Sequence, residues 1–343
     1  MEDTLVNEHT VDFLDVHRNV LTYDAVSPLA QDERYLDLMI DGGLNVVAAT
    51  IGGMDTLEST MHSISMWYER IRRRSDELML VTSVDQMEEA KELGKLGIIF
   101  HLQGAVPLDR DINTIQTYYQ LGVRVIQLTY NLKDFVGDGC EEPGDGGLST
   151  FGRNAIAEMN KVGMVVDLSH TGYRTTMEAM EISQDPCIFS HSNCNAVKHT
   201  NRNLQDDQIK KVASMGGVIG IAGYPYMVAD TSHPSKQQLL AHFDHIVNVV
   251  GIDHVGVGCD YFNGQEHIAS IEEARIIHNS WIQAGLWTLE TYPPPPWEWP
   301  ETIETPDKLP NLTKMLLEHE YSSDDVAKIW AQNFMRVYKN VWK

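Results

Sequence analysis

Short apolar runs rich in β-branched residues recur eight times along this chain, separated by longer stretches of helical period, and this alternation constrains the fold more than any other feature. The runs are Val11–His17, Leu44–Ile51, Gly97–Gln103, Val123–Tyr130, Gly163–His170, Cys187–Ser192, Gly217–Gly223 and His254–Tyr261. Runs this continuously apolar suit strands covered on both faces, as parallel strands under helices are. Helical candidates lie between them, among them Thr56–Arg74, Asn113–Leu121, Thr150–Lys161, Asp206–Ser214 and Lys236–Val250. Eight βα units predict a (β/α)8 TIM-type barrel, class α/β. The rival doubly wound sheet wants a G-x-G-x-x-G turn after an early strand, and no run here is followed by one. One barrel domain is expected over residues 1–343, with a Pro/Trp-rich loop insertion around 263–310 that contains PPPPWEWPE. Trp297 and Trp299 are its candidates for a lid near the mouth. Helical stretches at Leu312–Glu318 and Ser323–Lys339 close the chain.

Charge narrows the partners. Lys and Arg total 26 against 49 Asp and Glu, a formal net charge of −23 whose field repels phosphate backbones and anionic lipid heads. Neither nucleic acid nor a membrane is expected as a partner. Cys140, Cys187, Cys194 and Cys259 include no CxxC pair and are too sparse for a disulfide scaffold, which fits a reducing compartment. The opening MEDTLVNEHT lacks the basic start and apolar run of a secretory signal, so a cytoplasmic location is expected.

Chemistry-bearing side chains collect at the carboxyl ends of six of the eight runs: His17 with Asn19, His101 with Gln103, Tyr130, His170, His191 and Asp260. In a barrel these ends converge on one mouth, where barrel enzymes carry their active sites. Several imidazoles and a carboxylate suit a divalent ion such as Zn²⁺ in an open site, which lowers the pKa of bound water and polarises a carbonyl. The reaction class implied is hydrolysis of an amide or ester.

Four segments then carry a resemblance. GVRVIQLTYN with GDGGLSTFGRNAIAEMNKVGMVVDLSHTG, CIFSHSNCNAVKHTNRNLQDDQIKKVASMGGVIGI, HFDHIVNVVGIDHVGVGCDYFNG and LPNLTKMLLEHEYSSDDVAKIWAQNFMRVY follow one family pattern over nearly the whole chain. The sequence resembles the membrane (renal) dipeptidase family, zinc metallopeptidases of the amidohydrolase-like barrels. The resemblance implies that His170 and His191, twenty-one residues apart, bind one zinc. It implies that Asp260 is a ligand of the other metal and a proton acceptor, and that Arg202 binds the substrate carboxylate, a task its planar fork suits. It also implies a dipeptide-like substrate and a homodimer, for which the aromatic-rich IWAQNFMRVYKNVW is a candidate surface.

Three positions depart from the family pattern. An opening H-x-D reads His17-Arg18-Asn19, a bridging Glu reads Gln103, and a His that steadies the developing oxyanion reads Tyr130. Two divalent ions about 3.5 Å apart repel by roughly 19 kcal/mol at an effective dielectric of about 20, which anionic ligands must offset. With neutral amides at two of those positions, one tightly bound zinc is expected and the second site is weakened. His101 is either an extra ligand from deeper in the barrel or a core histidine bonded to a neighbouring strand end. The expected activity is cleavage of an amide bond in a small carboxylate-bearing substrate. Two alternatives stay open: an inactive homologue that binds a small ligand, and a re-tooled pathway enzyme acting on a lactone or cyclic amide.

Overall fold

The computed structural model describes residues 12–343. Its strands are β1 (Tyr23–Ser27), β2 (Val46–Gly52), β3 (Leu78–Leu80), β4 (Leu96–Leu102), β5 (Val123–Gln127), β6 (Val165–Asp167), β7 (Ile188–Phe189), β8 (Val218–Ile221) and β9 (Val255–Val257). Eight of them follow one another around a parallel sheet in the order β1-β2-β4-β5-β6-β7-β8-β9, while short β3 pairs beside the first half of β4. The first and last strands come together without a full ladder: Asp260 N donates to Val26 O at 3.2 Å, Leu29 N to Tyr261 O at 2.7 Å, and Cys259 N to the Asp24 carboxyl at 2.8 Å. The result is a nearly closed barrel ringed by helices, the (β/α)8 fold.

Side chains alternate between the two faces of each strand, as the strand period requires. Along β4, Ile99 joins Ala48, Val125, Val165, Ile188 and Val218 in a fully buried interior layer, whereas Phe100 packs outward on Trp67 of the helix Leu57–Arg73. The floor is plugged by the terminal helix Asn333–Val341, whose Phe334 and Tyr338 rise against Tyr23, with the two tyrosine hydroxyls 2.7 Å apart. Phe334, Val337, Tyr338 and Val341 are all buried there, so the apolar side of this segment is packed on its own barrel.

Seven of the eight expected strand regions hold a strand, and the first does not. Phe13–Asn19 is a helix, started by the Asp12 carboxylate accepting from Leu14 N and carrying Asp15 early and His17 and Arg18 late, an order that suits the helix dipole. Val11 lies outside the described residues. The true first strand, β1, hides its character behind Asp24, an acid second among five buried residues. The 263–310 segment is likewise more than a loop. It contains the helix Ile271–Gln283 and a packed aromatic cluster in which Trp297 and Trp299 are wholly buried.

Candidate active site

His17 and Asn19 do not reach the mouth. Gly42 lies just before β2, at the opposite end of the barrel, and its carbonyl accepts from His17 Nε2 at 3.0 Å. His17 Nδ1 must then accept, and it does so from the Thr313 hydroxyl at 2.8 Å. Burial lowers the pKa of this imidazole, consistent with a neutral, fully satisfied floor residue that also packs edge-on to Trp330. Asn19 is exposed at the end of its helix. At the mouth, β1 ends in Val26-Ser27-Pro28 and brings neither imidazole nor carboxylate. The expectation failed because a seven-residue window with alternating apolar residues fits a strand or a short helix equally well.

The other expected residues do converge. Gln103, Tyr130, His170, Arg202 and Asp260 line one cavity of about 370 Å³ at the strand ends. His191 lies against His170 with the two Nε2 atoms 2.8 Å apart, and Gln103 Nε2 is 3.2 Å from His191 Nε2. Close backbone approaches set these positions. Any Cβ on Gly53 would come within 2.5 Å of the Gln103 backbone, and one on Gly258 within 1.9 Å of the Ser190 carbonyl oxygen, so only glycine lets the strand ends pinch together. His170 and Asp260 both have left-handed backbones, with φ of 60° and 58°. Non-glycine residues tolerate that conformation only where surrounding structure imposes it, and such positions concentrate at functional sites.

Hydrogen bonds fix the tautomers of both imidazoles. The Asn131 amide nitrogen donates to Leu286 O at 2.8 Å, so its oxygen is what His170 Nδ1 meets at 2.7 Å, and Nδ1 carries the proton. Ser190 gives its hydroxyl proton to the Asp167 carboxylate at 2.6 Å and therefore accepts from His191 Nδ1 at 2.7 Å. In consequence both Nε2 atoms are unprotonated, and the Gln103 amide donates toward one of them. Burial is the main cause that holds both imidazoles well below the ordinary histidine range, with Arg202 adding to it. Asp167 is also fully buried, which alone would raise its pKa, but bonds from His101 and Ser190 hold it well below the usual carboxylate range.

His101 is thus the core histidine of its two readings. It points inward one turn of the pleat below Gln103, and its Nε2 pairs with Asp167 at 3.1 Å. Asn131, Asp167 and Ser190 were not singled out from sequence, although each stands inside a quoted motif, LTYN, DLSH and FSHS. Their roles depend on which neighbouring strand they meet.

Arg202 is 2% exposed, and its Nη2 donates to His191 O at 2.9 Å. Its Nε has no partner, and among the described residues no carboxylate pairs with it. Asp206 is engaged by His245 at 2.7 Å and Asp207 by Tyr173, so neither neutralises the guanidinium. Asp260 accepts no side-chain hydrogen bond among the described residues, and burial pushes its carboxyl up to about 7, with Arg202 pulling the other way. Tyr130 stacks on His170 with ring centroids 4.1 Å apart, and its hydroxyl oxygen accepts from Trp287 Nε1 at 3.1 Å. That leaves the phenol proton free to donate into the cavity.

Two unprotonated ring nitrogens this close are donors for one cation, which at the usual Zn–N distance of about 2.0–2.1 Å would lie beside the line that joins them and not between them. The residues do not fit two. Among the described residues no group of three or more His, Cys, Asp or Glu side chains is gathered to hold a metal, β1 supplies no ligand, and the bridging position is an uncharged amide.

A parallel eight-stranded barrel with imidazoles, a carboxylate and an unpaired guanidinium around one mouth cavity defines an amidohydrolase-like barrel protein. The comparisons agree. The family model for membrane dipeptidase, peptidase family M19, matches residues 19–279, and the chain belongs to that family. Dipeptidase verJ of Clonostachys rogersoniana is 32% identical over 209 residues, which is 60% of this chain and 54% of that protein. Dipeptidase aclJ of Aspergillus oryzae is 27% identical over 293 residues, 84% of this chain and 62% of that protein. The chain therefore spans between a half and two thirds of these relatives' length. An amidohydrolase from Pseudomonas aeruginosa is 29% identical with a TM-score of 0.88, covering 97% of this chain and 99% of that one. A metallo peptidase from Rhodobacter sphaeroides, liganded with a phosphinate mimic of the dipeptide L-Ala-D-Ala, shares the fold with a TM-score of 0.78 at 18% identity, over 94% of this chain and 99% of that one. Among the described residues no helix is long and apolar enough to cross a membrane.

Proposed function

We propose that this protein hydrolyses an amide bond in a small carboxylate-bearing, dipeptide-like substrate, with one zinc ion held by His170 and His191 and with Gln103 and Asp260 bordering it. The observation that carries this reading is the pair of neighbouring, unprotonated Nε2 atoms at the foot of a cavity walled by an Arg202 that no carboxylate neutralises. The ion, when bound, supplies Lewis acidity toward a carbonyl and toward water. Arg202 clamps the substrate carboxylate through its free edge. Asp260 accepts a proton from the attacking water and returns it to the leaving amine. Tyr130, held by Trp287, donates its phenol proton to the developing oxyanion.

The decisive experiment measures metal content of protein purified without chelator, together with turnover of amides that differ only in a free carboxylate. One equivalent of zinc and turnover confined to the carboxylate forms is expected. The absence of any β1 ligand favours a second reading, an inactive homologue that keeps the cavity for binding. Zero metal and no turnover, with retained ligand affinity, would select it.

A further inference from the structure

The wall of the mouth cavity is aromatic to a degree that peptide hydrolysis does not require. Tyr130, Tyr224, Phe262, Trp281, Trp287 and Tyr292 all line it. The rings form one continuous surface: Trp287 lies flat on Tyr292 at 4.5 Å and 7°, Trp281 meets Trp287 at 4.8 Å and Tyr130 at 5.6 Å, and Tyr130 stacks on His170. Two of their polar ends are committed to protein, while the Tyr130 phenol proton and the Tyr224 hydroxyl stay free. Trp287 Nε1 is spent on Tyr130, and the Tyr292 hydroxyl is within 3.2 Å of the Asn131 amide nitrogen. What the wall offers a ligand is therefore π surface with few hydrogen-bonding groups. Two carboxylates, Asp55 and Asp260, and one guanidinium, Arg202, are the charged side chains that border the cavity, His170 being neutral. Three buried polar atoms of the lining residues have no partner, Thr50 Oγ1, Arg202 Nε and the Tyr224 hydroxyl, and are open to a ligand.

We infer that the cavity recognises a zwitterion, whose carboxylate pairs with Arg202 and whose opposite end is an N-alkylated ammonium held by the aromatic wall. A ligand with one anion and one cation satisfies the guanidinium and sets its cationic end on a side of the cavity that no Lys or Arg borders apart from Arg202. An unsubstituted ammonium is compact, strongly hydrated and needs three acceptors, more than the aromatic side of the cavity supplies, its acceptors being tyrosine hydroxyls alone. An alkylated ammonium sheds water easily and is attracted by the negative faces of the rings. The inference deepens the proposed function by naming the substrate's far end, and it rests on that reading for the placement of the carboxylate.

The test compares binding of three ligands to protein stripped of metal, followed by tryptophan fluorescence and by calorimetry: glycyl-alanine, N,N,N-trimethylglycyl-alanine, and the uncharged tert-butyl isostere 3,3-dimethylbutanoyl-alanine. The trimethylated ligand is expected to bind at least about tenfold more tightly than either of the others. In Trp281→Leu that preference over the isostere should collapse toward unity, and Trp281 is only partly buried, so the variant should fold. Tyr224→Phe, which keeps the ring, should retain the preference. Equal or tighter binding of the isostere by wild type overturns the inference, because shape without charge would then suffice. Adding zinc separates the two claims. Cleavage without cation preference removes only the aromatic-cage inference, while cation-selective binding without cleavage of any of the three ligands removes only the hydrolase reading.

Discussion

Arg202 is held in place by His191 O yet keeps its Nε unpaired, which makes it both a positioned and an unsatisfied cation. A lysine cannot offer the forked contact, so Arg202→Lys should weaken turnover of carboxylate substrates by about 1.5–3 kcal/mol, the range for hydrogen bonds to charged groups. Steady-state kinetics with and without a substrate carboxylate checks it, since a structural role would slow both substrates alike. Ser190 acts through its neighbour. Ser190→Ala leaves His191 Nδ1 without its acceptor and should lower zinc affinity by about 10- to 100-fold, the usual cost of removing a partner behind a ligand. Competition with a chromogenic chelator measures that loss. The same titration distinguishes the two amides: Gln103→Glu, beside His191, should raise metal affinity, while Asn19→Asp, at the far end of the barrel, should leave it unchanged. An effect of Asn19→Asp equal to that of Gln103→Glu would contradict the position of the first helix.

At the scale of elements, the 263–310 segment is anchored to the barrel by its buried tryptophans. Trp299 Nε1 donates to Cys259 O at 2.7 Å, and its ring stacks on Tyr261 at 5.9 Å, so the side chain ties the insertion to the end of β9 directly beside Asp260. Trp299→Ala should cost about 3–5 kcal/mol, the range for deleting a fully buried tryptophan. Denaturant unfolding reads the cost, and loss of activity before global unfolding would show that the segment detaches first. Trp297 and Trp299 are the candidates from sequence for a lid near the mouth, but the two rings are buried against Tyr261 and Phe262, and Trp281 and Trp287 line the cavity instead. A proline-rich tract marks where a chain leaves a strand, and it does not say which of its aromatics faces inward.

For the whole molecule, barrel closure puts an acid where water does not reach. Asp24 sits where β1 meets β9, accepts from Cys259 N, and burial pushes its carboxyl up to about 8. In the unfolded chain the same group titrates at about 3.9. Between these values the unfolded state loses its proton and the folded state keeps it, so stability is greatest below about pH 4 as far as this group is concerned. It is lost as pH rises toward 8, by up to about 1.4 kcal/mol per pH unit. Asp24→Asn keeps the acceptor and removes the proton, so the variant should gain stability relative to wild type as pH rises from 4 to 8. Melting temperatures across that range test it, and parallel profiles for the two proteins would show that Asp24 is ionised in the fold.

Much of this could be read from residues in order. Alternating apolar runs predict the barrel, and His170, His191, Arg202 and Asp260 stand in motifs whose spacing survives into three dimensions because each motif is a strand end and the loop that follows it. Short-range pattern was enough there. It was not enough for His17, since seven residues carry too little periodicity to tell a strand from two turns of helix, nor for β1, whose Asp24 reads as surface until closure buries it. The tautomers of the imidazole pair, the aromatic wall and the unpaired guanidinium were decided only by the tertiary structure. Each is a relation between residues far apart in the chain, such as Tyr130 with Trp287 or His170 with Asn131, and a hydrogen bond or ring contact of that kind exists only once the barrel has brought its strand ends together.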